Sequence, residues 1–291
     1  MIVLDGKKLA SDIKDELREQ VAEIIKKGGK PPHLAAVLVG NNPASQSYVG
    51  NKIKFCEEVG FLSTTIREPE NITQEELLKR IYELNNNDEI DGYIVQLPLP
   101  RHIDEMAINL SIDHKKDVDG FHPMNFGRMA QGMNAYLPAT PFGILEMIKR
   151  YNIETQGKKV VVIGRSNIVG TPISILLSRK AYPGDCTVTL VHSRTKNLAE
   201  ETKQADIIVA AIGIPKFVKK DMVKPNAVII DVGINRIETE NGKFRLVGDV
   251  DFDEIKDVCS HITPVPGGVG PMTVAALMIN TLRAAGREVY G

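Results

Sequence analysis

The stretch Val160-Val161-Val162-Ile163-Gly164-Arg165-Ser166-Asn167-Ile168-Val169-Gly170-Thr171-Pro172 decides how the rest of the chain is read. A run of β-branched residues reads as a buried strand, and it empties into a glycine turn that opens a helix. N–H groups at a helix start are unpaired and point at whatever sits there, so this unit suits a phosphate. It is not the G-x-G-x-x-G fingerprint, because Ser166 stands where the second glycine falls and Gly170 is displaced. Many strand-to-helix turns need a glycine for φ alone, so nucleotide binding needs support from the neighbouring strand ends.

In NAD-binding Rossmann folds the second strand usually ends in Asp or Glu, which hydrogen-bonds the ribose 2′-OH. Here that strand runs into Val191-His192-Ser193-Arg194-Thr195 with no carboxylate. A hydroxyl beside a guanidinium accommodates a 2′-phosphate, with Arg165 able to help, so NADP is expected over NAD. The competing reading of Ser193 and Arg194 is a solvated loop. Later strand ends, Ala211-Ile212-Gly213 and Asp231-Val232-Gly233-Ile234-Asn235, again carry glycine where a cofactor crosses a sheet edge.

Outward from this unit, strand-like and helix-like runs alternate nearly end to end, which predicts an α/β fold with parallel sheets. Ahead of it, Ile13, Leu17, Val21, Ile24 and Ile25 recur at helical spacing until Gly28-Gly29. Residues 34–39 read as a strand, 45–59 as a helix closed by Gly60, and 61–66 as a strand. Thr73 with Glu76 is a capping box, and the strand 92–97 is stopped by Pro98-Leu99-Pro100. Behind the unit come strands at 187–191, 207–212, 227–232 and into Thr263, then a helix over 273–285 after Pro271. A chain of 291 residues suits two cores, and the grammar restarts near 138–141, so domains are expected at 1–138 and 139–272 with a cleft between them.

Composition narrows the function classes. Thirty-six Lys+Arg against 37 Asp+Glu leave a net charge of −1, with no field to attract nucleic acid or an anionic membrane. The apolar stretches, such as 227–232, fall far short of the roughly 20 residues of a membrane span. Met1-Ile2-Val3-Leu4-Asp5 lacks the basic start and long apolar run of a signal peptide. Cys56, Cys186 and Cys259 are scattered and odd in number, which points to a reducing cytoplasm and to small buried residues.

A second candidate site lies in the front half. Tyr48 and Lys52, four apart on a predicted helix, share one face and can converge on one ligand. An aromatic face beside an amine suits a flat heterocycle, and desolvation would lower the amine's pKa into a usable range. The competing reading is a surface ridge with a snorkelling lysine. Gln96 sits at a strand's carboxyl end, where its amide can hold Lys52, and is followed by Leu97-Pro98. In Lys116-Asp117-Val118-Asp119-Gly120-Phe121-His122 two carboxylates alternate, and a carboxylate matches an amino group beside a ring N–H. The competing reading there is a metal held by His114, Asp117, Asp119 and His122, although no HExxH or Cys partner is present. The loop Thr263-Pro264-Val265-Pro266-Gly267-Gly268-Val269-Gly270-Pro271-Met272-Thr273 cannot be regular structure and either turns the chain or lines a cleft.

Together these segments resemble the bifunctional methylenetetrahydrofolate dehydrogenase/cyclohydrolase family. The matching pieces are Ser47-Tyr-Val-x-x-Lys52, Val95-Gln-Leu-Pro-Leu-Pro100, Lys116-Asp-Val-Asp-Gly120, Gly164-Arg-Ser-x-x-Val-Gly170, Gly233-Ile-Asn235 and the loop 263–273. They occur in the family's order and span nearly the whole chain. The resemblance implies a three-layer N-terminal α/β domain, joined by a C-terminal helix over 273–291, and an NADP-binding Rossmann domain. It implies oxidation of 5,10-methylenetetrahydrofolate, then hydrolysis of the methenyl cation to 10-formyltetrahydrofolate, in one-carbon metabolism and purine biosynthesis. By similarity Lys52 is the catalytic amine, Tyr48 stacks on the folate, Gln96 tunes Lys52, and Asp119 grips the pterin edge. Leu97, Pro264, Pro266, Gly267 and Gly268 would line the folate. Gly164, Arg165, Ser166, Val169, Gly170, His192, Ser193, Arg194, Gly213, Gly233 and Ile234 would hold NADP, with no metal. A cytoplasmic homodimer through the Rossmann domain is also implied.

Two rivals remain open at this point. A hydroxy-acid dehydrogenase of the same plan needs a general base beside the nicotinamide, and no His or Lys after Gly213 or Gly233 obviously supplies one. A non-enzymatic NADP sensor would leave Lys52 and Asp119 idle. One departure from the family's bacterial members is a longer stretch at 178–186, expected near the adenosine end and so bearing on cofactor preference.

Overall fold

The computed structural model describes residues 1–238 and 241–290, and the chain divides into two compact units. One holds residues 11–139 and 274 onward; the other holds Met1–Ala10 and Thr140–Thr273. The expected boundary at 1–138 is therefore corrected at the N-terminus. The strand β1 (Ile2–Val3) pairs in parallel with a strand from the far end of the chain, Ile2 opposite His261, and this carries the first ten residues into the second unit.

The first unit is built on three parallel strands. After helix α1 (Gly6–Lys26) come β2 (His33–Val39), α2 (Pro43–Val59), β3 (Leu62–Glu68), α3 (Gln74–Asn85), β4 (Gly92–Val95), α4 (Glu105–Ser111) and α5 (Pro123–Ala130). The sheet order is β3-β2-β4, so β2 is central and buried along both faces. Its Ala35, Val37 and Val39 pack with Leu77 and Ile81 of α3 and Ile108 of α4, while α2 lies against β2 and β3. α2 starts two residues ahead of the expected position, because Asn42 caps it by accepting from Ala44 N and Ser45 N and Pro43 is preset for a first helical position. Gly60, in the left-handed region at φ 81°, ends it. Thr73 and Glu76 form the capping box at the head of α3.

The second unit carries α6 (Ala139–Arg150), β5 (Lys159–Ile163), α7 (Gly170–Ser178), β6 (Thr187–Val191), α8 (Leu198–Thr202), β7 (Ile207–Ala210), β8 (Val228–Asp231), β9 (Asn235–Glu238), β10 (Phe244–Val247), α9 (Phe252–Ile255) and β11 (His261–Ile262); α10 (Val269–Ala285) starts at its end and belongs to the first unit from Val274 onward. Its six-stranded sheet, β1-β11-β8-β7-β5-β6, is parallel throughout. The chain leaves β5 toward β6 and then returns past it to β7, so the switch point of this doubly wound sheet lies at the carboxyl ends of β5 and β7.

Three sequence expectations change here. α10 starts at Val269 rather than 273, since a first turn has no N–H bond for Pro271 to break. The antiparallel pair β9–β10 is not anticipated, although Asn241-Gly242 is a hairpin signal, because each strand is only four residues long and is interrupted by an arginine, Arg236 or Arg245. The stretch 178–186 does not approach the adenosine end: Gly184 N donates to Thr155 Oγ1, Gly157 N to Asp185 O, and the chain enters β6 afterwards. That puts it at the amino edge of the sheet, opposite the glycine turn, and removes its bearing on cofactor choice. Among the described residues no helix is long and apolar enough to cross a membrane.

Candidate active site

Ser45, Val49, Lys52, Phe55, Cys56 and Val59 are the buried positions of α2, all on one face. Lys52 thus occupies a place that helical periodicity gives to an apolar residue, and it is only 8% exposed. Burial lowers its pKa below the ordinary lysine value, and the Asp119 carboxylate pulls the other way. Nζ donates to Gln96 Oε1 at 3.0 Å. The amide is oriented, because its Nε2 donates to Leu97 O at 2.8 Å and leaves the carbonyl for the amine. Gln96 is itself seated at the sheet end by its backbone N–H, which donates to Val37 O at 2.9 Å. Tyr48 lies one turn before Lys52 and is 41% exposed.

Asp119 arrives from a segment that extends the sheet beside β4, where Tyr93 N donates to Lys116 O and Tyr93 bridges Asp117. The two carboxylates of this motif have separate fates. Asp117 is 2% exposed, and its oxygens accept from Gly120 N, Phe121 N, His122 N and Asn125 Nδ2. Burial pushes its carboxyl up to about 7 against the pull of those donors. It is a staple for the turn. Asp119 carries no side-chain hydrogen bond among the described residues; burial raises its pKa and the Lys52 ammonium opposes that. Gly120, at φ 76°, lies so close to Leu137 and Pro138 that a Cβ would collide with their backbone.

Three residues that secure this turn escaped the sequence reading. Asn280 of α10 is fully buried and its Nδ2 donates to Val118 O and Leu137 O, both at 2.9 Å. Asn125 joins Asp117 to the hydroxyl of Tyr290, which donates to Asn125 Oδ1 at 2.7 Å. The signal for Asn280 was a lone amide inside the apolar run 274–282. The alternative metal cluster is not assembled: His122 Nδ1 accepts from Met124 N as the cap of α5, and Asp117 is fully occupied. Among the described residues no three His, Cys, Asp or Glu side chains are placed to hold a metal.

In the second unit the residues picked for a dinucleotide gather at one sheet edge. Gly164 follows β5 at φ 111° and leaves no room for a Cβ beside the Ala211 carbonyl, while a Cβ on Gly170 would strike the Gly164 carbonyl. These glycines let helix α7 and strand β7 close on the turn. Ser166, in the place of the second fingerprint glycine, accepts from Val169 N at 3.1 Å and so stands in for a cap. After β6, His192 N donates to Thr195 Oγ1 and Arg194 N to His192 Nδ1, and this turn presents Ser193 and Arg194 to solvent with no acidic residue. Gly213 has φ 68° and open space where a Cβ would be, and Ile234 is exposed. An exposed hydroxyl and guanidinium at the second strand's end, with open glycine loops beside them, fit NADP. Pro264, Pro266, Gly267 and Gly268 form a tight turn into α10, tied down by Lys7 N donating to Gly267 O.

The comparisons with known proteins agree on one family. Residues 4–119 match the family model for the tetrahydrofolate dehydrogenase/cyclohydrolase catalytic domain, and residues 138–289 match that for its NAD(P)-binding domain. The bifunctional protein FolD of Flavobacterium johnsoniae is 62% identical, covering 98% of this chain and 97% of that one. The solved bifunctional FolD of Campylobacter jejuni aligns with a TM-score of 0.93 and 47% identity over 99% of each chain. That of Trypanosoma brucei, solved with NADP cofactor and an inhibitor, gives 0.93 and 38% over 100% of this chain and 99% of the other. On these matches the chain belongs to the tetrahydrofolate dehydrogenase/cyclohydrolase family.

Proposed function

We infer that this chain oxidises 5,10-methylenetetrahydrofolate to the 5,10-methenyl form with NADP and hydrolyses that cation to 10-formyltetrahydrofolate, a pair of steps in one-carbon metabolism. The observation that carries the reading is the Lys52 amine, buried on an apolar helix face, held by the Gln96 carbonyl and opposed by Asp119. NADP, when bound, accepts the hydride. Adjacent nitrogen lone pairs push that hydride off the methylene carbon, so the chain needs to orient the reactants and supplies no strong base there. In this reading Ser193, Arg194 and Arg165 hold the 2′-phosphate, Tyr48 stacks on the pterin, and Asp119 accepts from its amino edge.

Hydrolysis asks more of the side chains. Water adds to the methenyl carbon, and neutral Lys52 takes one of its protons to leave a carbinolamine; the resulting ammonium gives that proton to the ring nitrogen as the C–N bond to it breaks, and the remaining hydroxyl proton passes to solvent as the formyl C=O forms. Burial favours the neutral amine, and Gln96, an acceptor only at Oε1, holds Nζ by one of its hydrogens and leaves the lone pair for the water. A hydroxy-acid dehydrogenase is disfavoured because Lys216 and Lys219 of the loop after β7 are tied to Asp251, and the loop after β8, Val232-Gly233-Ile234, carries no titratable side chain. We further propose a cytoplasmic homodimer serving purine biosynthesis, with sedimentation deciding the oligomer.

The test is direct. Mixed with 5,10-methylenetetrahydrofolate and NADP, the protein should generate methenyl absorbance that then decays, with a weaker signal from NAD. Silence with both nucleotides would overturn the activity, and an equal or stronger signal with NAD would overturn the cofactor choice.

A further inference from the structure

Below the two glycine loops of the dinucleotide edge lies a pair of buried carboxylates that no step above uses. Asp249 is 0% exposed; its Oδ2 accepts from Ile212 N at 2.7 Å and Gly213 N at 2.9 Å, and its Oδ1 accepts from Asn235 Nδ2 at 2.8 Å. Asp231, 3% exposed, accepts from Gly233 N at 3.0 Å, Asp249 N at 2.9 Å and Val250 N at 3.0 Å. One carboxylate therefore ties the loop after β7 to the loop after β8, and the second seats the first. The fit leaves no slack, since a Cβ on Gly233 would strike the Asp249 carboxylate and one on Gly248 the Asp231 carboxylate.

We propose that Asp249, with Asn235 as its partner, is a positioning residue for the oxidation step: it sets the spacing of the Gly213 and Ile234 loops across which the cofactor lies. The inference rests on the NADP reading of that edge. A carboxylate suits the role because every group hydrogen-bonded to its oxygens is an N–H donor, so it is satisfied only with both loops in place. Small displacements of a reacting group erode rate strongly, so loop spacing acts on cofactor affinity and turnover.

Exchanging the partners provides the test. In Asp249→Asn the new amide keeps its oxygen for the two backbone donors and turns its NH2 against that of Asn235. KM for NADP should rise about tenfold, the scale of one lost hydrogen bond to a charged group. Hydrolysis of methenyltetrahydrofolate, whose side chains lie in the other unit and which needs no NADP, should persist. Adding Asn235→Asp restores an acceptor opposite the amide and should recover most of the NADP affinity. A double variant no better than Asp249→Asn, or hydrolysis falling in step with oxidation, would overturn the proposal and leave Asp249 a general fold staple. Should Asp249→Asn not fold, Asn235→Ala removes the partner alone and should raise KM for NADP with hydrolysis kept; an unchanged KM overturns the proposal. Arg194→Ala separates the levels: if it also leaves NADP affinity unchanged, the cofactor placement itself is wrong, whereas a loss there with none in Asn235→Ala sinks only the Asp249 role.

Discussion

Lys52→Met removes hydrolysis of the methenyl cation from a protein that still folds. Loss of a general acid–base group lowers rate by about 10²–10⁴-fold, and in the proposed mechanism one amine serves both proton transfers. Oxidation falls less, because hydride departure needs no base. Met is close to lysine in length and apolar, and the position lies between Val49, Phe55 and Cys56 on the buried face of α2, so the substitution keeps the packing. The folded pKa of Lys52 lies below the 10.5 of the unfolded chain. The unfolded chain holds more protons between those two values, so this residue's contribution to stability rises with pH across that window, and below it the full cost of the buried charge is present. The stability of Lys52→Met relative to the native chain is therefore highest below the window and declines toward alkaline pH. Removing the ammonium also leaves Asp119 without its opposing charge, which pushes that carboxyl further above the usual range. Single-turnover hydrolysis with thermal melts at several pH values reads both effects; an unchanged hydrolysis rate would refute the assignment.

Gly164→Ala strikes the other unit. Gly164 sits at φ 111°, where an L side chain is strained, and its new methyl would meet the Ala211 carbonyl, whose carbon lies 2.9 Å away. Both residues sit just past the ends of neighbouring buried strands and are held by backbone hydrogen bonds, Gly164 N donating to Val191 O and Ala211 N to Ile163 O, so neither can yield cheaply. A destabilisation of about 3 kcal/mol is expected from strain and collision together, with NADP-dependent oxidation lost. Hydrolysis, which in the proposed mechanism uses Lys52 and needs no dinucleotide, should outlast oxidation as temperature rises. A melting temperature and KM for NADP equal to the native values would contradict the close approach of β5 and β7.

The sequence spoke most clearly where one residue type has one physical use. Val160 to Ile163 could only be a buried strand, and the Thr73–Glu76 pair could only cap a helix. Lys52 was legible as a candidate but not as a buried one, since an i,i+4 Tyr/Lys pair reads equally well as a surface ridge; only the packed face of α2 separates the two. The division of labour between Asp117 and Asp119 was hidden for the same reason. Two carboxylates two residues apart look alike until the fold shows four donors on one and, among the described residues, none on the other. Asp231, Asp249 and Asn125 are beyond reach because their partners are backbone groups or residues far away in the chain; the lone amide of Asn280 in an apolar run marks a buried polar group but not its partner, since a hydrogen bond across 162 residues leaves no local pattern. The strand β1 was missed likewise, because two residues acquire a strand's identity only from the edge they join.

The central claim is that one folate ring meets the amine of Lys52 and the carboxylate of Asp119, while the edge carrying Gly164 and Arg194 takes the dinucleotide. A crystal structure of this chain with NADP and a non-hydrolysable folate analogue tests it most directly. The account predicts Asp119 hydrogen-bonded to the pterin's amino edge, the Lys52 amine beside the one-carbon bridge, and the 2′-phosphate against Ser193 and Arg194. A pterin bound away from Lys52, or a 2′-phosphate lodged elsewhere on the sheet, would contradict it.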